Sequence, residues 1–131
     1  MKKIILTTTI LFSLTYAKES TLIELNNSNY LSIINNNKPV LVKYWASWCQ
    51  PCQILAPKFK AIAKEYKGKI VFAELNVDKY TNIATKNYIT RLPTIVLYYK
   101  GKEVDRFTGI ADKKYLREWA NNILDYFRKN K

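Results

Sequence analysis

The sequence predicts a single α/β domain, a central mixed β-sheet flanked by helices on both faces. Three observations carry this. Strand-like apolar runs alternate with segments of helical period along the whole chain, in the order β-α-β-α-β-α-β-β-α. One run, Val40 to Ala46, is apolar on both alternating faces apart from Lys43, which suits a central strand covered on both sides. With 131 residues, 48% hydrophobic and 14% aromatic, the chain can build one core and has no room for a second.

The elements follow in order. Thr21 to Leu25 reads as a short strand, and Ser28 is placed to N-cap a helix through Asn36 whose apolar positions are Tyr30, Leu31, Ile33 and Ile34. Pro39 breaks that helix ahead of the Val40 to Ala46 strand. From Pro51 to Tyr66 the period changes: Leu55, Phe59, Ile62 and Tyr66 make one helical face, while Lys58, Lys60, Lys64 and Glu65 are polar. Pro57 lies inside this helix and is expected to kink it; Gly68 ends the segment. Ile70 to Val77 is a third strand and Thr81 to Tyr88 a short helix. Thr94 to Tyr99 and Glu103 to Phe107 flank Lys100-Gly101, a turn signal for an antiparallel hairpin. The last helix runs from about Asp112 to Phe127 and buries Leu116, Trp119, Ile123 and Phe127.

Residues 1–17 differ from the rest. Met1-Lys2-Lys3 is a basic start, Ile4 to Leu14 is mostly apolar, and Thr15-Tyr16-Ala17 offers a small-residue cleavage site, the pattern of a secretory signal peptide. An uncleaved anchor or an ordinary first strand are the competing readings. The expectation is export, to a periplasmic or similar compartment, with cleavage near Ala17 and a domain over 18–131. Net charge is +12, which raises a nucleic-acid reading. The lysines are scattered and no nucleic-acid motif appears, so the expectation is a solvated basic surface with no nucleic-acid partner.

The chain has two cysteines, Cys49 and Cys52, and no histidine. As a structural disulfide the pair closes almost no loop, so its stabilising effect is weak. A tetrahedral zinc site needs about four N or S ligands, which this chain does not supply alone. A redox pair fits better. It falls where a central strand meets a helix N-terminus, where unpaired backbone N–H groups and the helix dipole favour a thiolate on Cys49. Pro51 suits the first helical turn, where a missing N–H is harmless. Cys52, one turn behind, is placed to attack a mixed disulfide formed at Cys49.

Trp48-Cys49-Gln50-Pro51-Cys52 after an apolar strand resembles the thioredoxin family, and the likeness runs from about Leu22 to Leu124. It includes Pro57, the stretch Ala73-Glu74-Leu75-Asn76-Val77-Asp78, Leu92-Pro93-Thr94 and Gly109. The resemblance implies a thioredoxin fold, with Cys49 the exposed nucleophile and Cys52 the resolving thiol. It implies that Leu92-Pro93 is a cis peptide opposite the disulfide, exposing backbone for pairing with an extended substrate segment. Trp48, Val77, Leu92, Gly109 and Ile110 match the family's apolar docking surface; Trp45 is expected in the core.

Three positions depart from the family, two of them as a pair. Its members usually carry a buried aspartate where this chain has Lys43, thought to move protons to and from the resolving cysteine, and a lysine where it has Glu74. The expectation is a reversed ion pair, Lys43 with Glu74, on adjacent strands beneath Cys52, the alternative being that Lys43 snorkels to solvent. Paired, Lys43 leaves Glu74 as a candidate proton acceptor for Cys52. Unpaired, an ammonium about 6 Å from the thiolate favours it by up to ~3 kcal/mol at an effective dielectric near 20. That would make the couple more oxidising. Gln50 replaces the family's common glycine, with no effect of stated sign.

The sequence therefore predicts an exported thiol–disulfide oxidoreductase working through the Cys49–Cys52 dithiol/disulfide. Its expected role is a monomeric reductant of protein disulfides, recharged by a membrane-embedded thiol donor. No metal and no cofactor beyond the redox-active disulfide is expected. The alternatives are a disulfide oxidant or isomerase, and a non-redox binding module or chaperone.

Overall fold

The structure, a computed structural model, describes Lys3 and residues 21–131. The expected leader over 1–17 lies outside the described residues, Lys3 apart. Five strands form one sheet: β1 (Ile23–Glu24), β2 (Val40–Trp45), β3 (Val71–Asn76), β4 (Thr94–Tyr99) and β5 (Lys102–Thr108). Four helices accompany them: α1 (Tyr30–Ile34), α2 (Gln50–Glu65), α3 (Thr81–Lys86) and α4 (Lys113–Lys129). The strand order is β1-β3-β2-β4-β5. β3 runs parallel to both β1 and β2, whereas β4 is antiparallel to β2 and β5. β2 is thus central, as its two-sided apolar pattern requires.

Side chains of a strand alternate between faces, and β2 shows the consequence. Val40, Val42 and Tyr44 join the core under α1 and α3, with Tyr30, Ile34, Leu75, Ile83, Val96 and Tyr98. Leu41 joins the opposite core under α2 and α4, with Leu55, Phe59, Ile62, Phe72, Ile95, Leu97, Leu116 and Trp119. Lys43 has the parity of Leu41, and its Nζ lies 5.4 Å from the centroid of the Phe59 ring. The expected helical faces of α2 and α4 are both present, although Phe127 is only half-buried, its ring 4.1 Å from that of Tyr99.

α1 departs from the sequence reading. The cap is Asn29, not Ser28, and the helix stops at Ile34 instead of reaching Asn36. Asn26 Oδ1 accepts from the N–H groups of Ser28 and Asn29, and Asn29 Oδ1 accepts from Asn26 N–H, so two asparagines hold the turn that the serine was expected to hold. In a helix this short only Tyr30 and Ile34 are fully buried, Ile33 packs partly against the same core, and Leu31 is exposed. The β4–β5 turn places Lys100 and Gly101 at φ 51° and 82°, the left-handed pair of a tight hairpin. Gly101 donates its N–H to Ile34 O (2.9 Å), and a β-carbon there would collide with the Asn35 side chain.

Candidate active site

β2 ends at Trp45, and two turn residues, Ser47 and Trp48, carry the chain to the start of α2. Cys49 is the N-cap of α2, with extended backbone, and its Sγ accepts from Cys52 N–H at 3.2 Å. That bond is one the first turn of a helix leaves open, and it places the sulfur where helix-end N–H groups favour negative charge. Pro51 sits in the first turn, as its missing N–H allows. Cys49 and Cys52 form a disulfide, with Cα atoms 5.3 Å apart.

The expected contrast in exposure is small. Cys49 is 4% and Cys52 2% exposed, so the nucleophile is not an exposed residue in the oxidised state. Both sulfurs are covered because Ala46, Trp45, Val77 and Leu92 pack around them. Trp45, expected in the core, is only half-buried, and its Nε1 is buried with no hydrogen-bond partner among the described residues.

Leu92-Pro93 is cis. Pro93 O accepts from Gly109 N–H (2.9 Å), and the Thr94 hydroxyl donates to Arg91 O (2.7 Å), so the turn is held on either side of the proline. Gly109 takes φ 109°, a conformation that glycine alone adopts without strain, and nothing lies within 4 Å of where its β-carbon would be. Val77, Leu92 and Gly109 are half-buried, Ile110 is exposed, and Trp48 is 71% exposed. The Trp48 indole N–H donates to Asp78 Oδ2 (3.0 Å). Val77 and Leu92 both pack against the cysteine cluster.

Lys43 and Glu74 face each other in register on β2 and β3, with Nζ 3.1 Å from Oε2. The Lys43 side chain is 3% exposed and that of Glu74 25%, so the lysine does not snorkel and its carboxylate partner meets solvent. A surface hollow of about 370 Å³, lined by Leu22, Lys43, Ala56, Pro57, Lys60 and Glu74, opens onto the pair. Ala56 is one turn beyond Cys52 on α2, which places the hollow behind the resolving cysteine.

Sequence reasoning gave no role to Asp78 or Thr94, which the structure places beside Trp48 and the cis-proline turn. Asp78 stood in a stretch already noticed. A carboxylate beside a strand end was the only signal for its bond to Trp48.

A buried Cys-X-X-Cys disulfide at a helix N-terminus, with a cis-proline turn and apolar residues beside it, defines a thiol–disulfide exchange domain. Comparison with known proteins narrows this. The thioredoxin family profile matches residues 21–122. The chain is 44% identical to the thioredoxin of Chlorobaculum thiosulfatiphilum over 72 residues, 55% of this chain and 67% of that one. It is 38% identical to the thioredoxin of Rickettsia felis over 89 residues, 68% of this chain and 85% of that one. Among solved structures, a thioredoxin of Malassezia sympodialis superposes with a TM-score of 0.73 at 26% identity, covering 79% of this chain and 93% of that one. The chain belongs to the thioredoxin family and has its fold. It is a thiol–disulfide oxidoreductase acting on protein thiols and disulfides.

Proposed function

We propose that this chain is an exported reductant of protein disulfides. The observation that carries the chemistry is the placement of Cys49 Sγ at the N-terminus of α2, accepting the Cys52 N–H. In the reduced chain, the Cys49 thiolate attacks one sulfur of a substrate disulfide. A bond forms between the two sulfurs, the substrate S–S bond breaks, and its other sulfur leaves as a thiolate that takes up a proton. Cys52 then loses its proton and attacks Cys49 Sγ. The Cys49–Cys52 disulfide closes, the second substrate thiol is released, and two electrons have passed from chain to substrate.

Glu74 receives the Cys52 proton in this reading. It is the ionisable carboxylate on the hollow behind α2, it reaches solvent, and Lys43 holds it in place. Trp48, Val77, Leu92, Gly109 and Ile110 form the surface on which an extended substrate segment docks. The closed Lys43–Glu74 pair supports the reductant direction, since a neutralised ammonium adds little to the stability of the Cys52 thiolate. Export rests on the basic start and apolar run within residues 1–17. An exported reductant needs electrons delivered across a membrane, so recharging falls to a membrane-embedded thiol donor. The chain works as a monomer, with its own disulfide as the only redox group.

A Cys52→Ser variant tests the exchange step. It should accumulate mixed disulfides through Cys49 that thiol reductant dissolves, and Cys49→Ser should accumulate none. Partners that stay bound after reduction would instead identify a binding module.

A further inference from the structure

The seven residues between α3 and β4, 87–93, end in the cis Leu92-Pro93 turn, and their first residue is bonded at every polar group. Asn87 N–H donates to Ile83 O (3.1 Å). Its Nδ2 donates to Ile83 O (2.9 Å) and to the Tyr30 hydroxyl (2.7 Å). Its Oδ1 accepts from the Tyr98 hydroxyl (3.0 Å), and its carbonyl accepts from Arg106 Nη2 (2.9 Å). Tyr98 has one hydroxyl proton and gives it to Asn87, so Tyr44 is the donor in the 2.6 Å bond between the two tyrosines. The next residue, Tyr88, takes φ 55°, uncommon for an aromatic residue, and Arg106 Nη1 donates to its carbonyl (3.3 Å). Glu103 in turn binds the guanidinium of Arg106.

The two buried tyrosines stand on the strands that carry the two halves of the site. Tyr44 is on β2, which leads into Cys49, and Tyr98 is on β4, which begins directly after Pro93. Phenylalanine would fill the same space, and a buried hydroxyl is unfavourable without a partner. Packing alone therefore gives no reason for either hydroxyl; the bonded chain from Tyr44 through Tyr98 to Asn87 does.

We propose that Asn87, with Tyr98 and Arg106, is a positioning hub that fixes the turn over residues 88–93 relative to the Cys49–Cys52 disulfide and so sets the affinity for protein disulfides. This rests on the disulfide-exchange reading above. A small disulfide needs only the sulfurs, whereas a protein segment must also dock beside Leu92, so the hub acts on one substrate class and not on the other.

The test compares Asn87→Ala, Arg106→Gln and Arg106→Lys with the parent, using insulin as the protein disulfide and oxidised glutathione as the small one. Amide hydrogen exchange is followed over Ile89 to Leu92 and over Cys52 to Leu55. The expected result for Asn87→Ala and Arg106→Gln is a KM for insulin raised about tenfold, with kcat and the glutathione rate within about twofold of the parent. Exchange over residues 89–92 accelerates about tenfold, and that over 52–55 stays unchanged. Arg106→Lys, keeping a donor and the charge, falls between Arg106→Gln and the parent. Equal losses on both substrates that track the folded fraction overturn the hub, as does an unchanged insulin KM. A parent that fails to reduce insulin overturns the exchange reading instead, and the exchange rates over residues 89–92 then decide the hub by themselves.

Discussion

Lys43 is a buried cation, its side chain only 3% exposed, and its ion-pair partner, Glu74, lies on the neighbouring strand. Removing either charge leaves the other unpaired near the resolving cysteine, with opposite consequences. In Glu74→Ala the unpaired ammonium stabilises the Cys52 thiolate and makes the couple more oxidising. The limit is about 60 mV, from up to ~3 kcal/mol at ~6 Å. The same variant loses stability, since an uncompensated buried charge costs roughly 3–5 kcal/mol when fully desolvated. In Lys43→Ala the lone carboxylate disfavours the thiolate, so the potential moves the other way, less steeply because Glu74 meets solvent. Titration of both variants against a glutathione buffer reads the two shifts; shifts of the same sign, or none, would show that the pair does not govern the couple. This contact was legible in the sequence, because a lysine in an apolar strand demands a counter-charge and Glu74 was the displaced family position. Trp48–Asp78 and the Asn87 bonds to Tyr30, Tyr98 and Arg106 were not, because they join residues far apart in sequence with no spacing rule to reveal them. The near-equal burial of Cys49 and Cys52 was equally hidden, since cover by Val77 and Leu92 depends on tertiary packing.

Among the elements, the helix that follows the disulfide and the strand before it were the most readable, since the change of period from two to 3.6 falls at the cysteines. The short α1 was read least well. Neighbouring asparagines compete with a serine for the same capping bonds, and sequence order alone does not rank them. β2 and β4 hold a feature that patterning treated as ordinary core, the buried Tyr44–Tyr98 pair. Burial is the main cause that pushes both phenols above their ordinary range, for Tyr98 reinforced by the Tyr44 phenol beside it. Both therefore stay protonated in the folded chain after their unfolded counterparts begin to ionise near pH ~10. Above that pH the unfolded state binds fewer protons than the native one, so stability is fully present below pH ~10 and falls as pH rises, by up to ~1.4 kcal/mol per pH unit for each phenol. Urea midpoints measured from about pH 8 to 11 should show this decline, and a Tyr44→Phe/Tyr98→Phe double variant should flatten it. Parallel profiles for the two proteins would mean that these phenols do not carry the pH dependence.

At the scale of the whole molecule, a mixed sheet between two helical layers brings three distant segments to the ends of the neighbouring strands β2, β4 and β5: Cys49 to Cys52, Leu92-Pro93, and Gly109-Ile110. The alternation of periods was enough to anticipate this architecture, and the five strands appear in the expected order along the chain. The full strand order of the sheet needed the three-dimensional structure. If this assembly donates electrons to protein disulfides, it stands mostly reduced at work, and the redox state of Cys49 and Cys52 in intact cells reads that. Rapid acid quenching followed by thiol alkylation and a gel-shift assay reads that state. A chain mostly in the dithiol form is the expected result; a chain held mostly as the Cys49–Cys52 disulfide would show that it is not an electron donor.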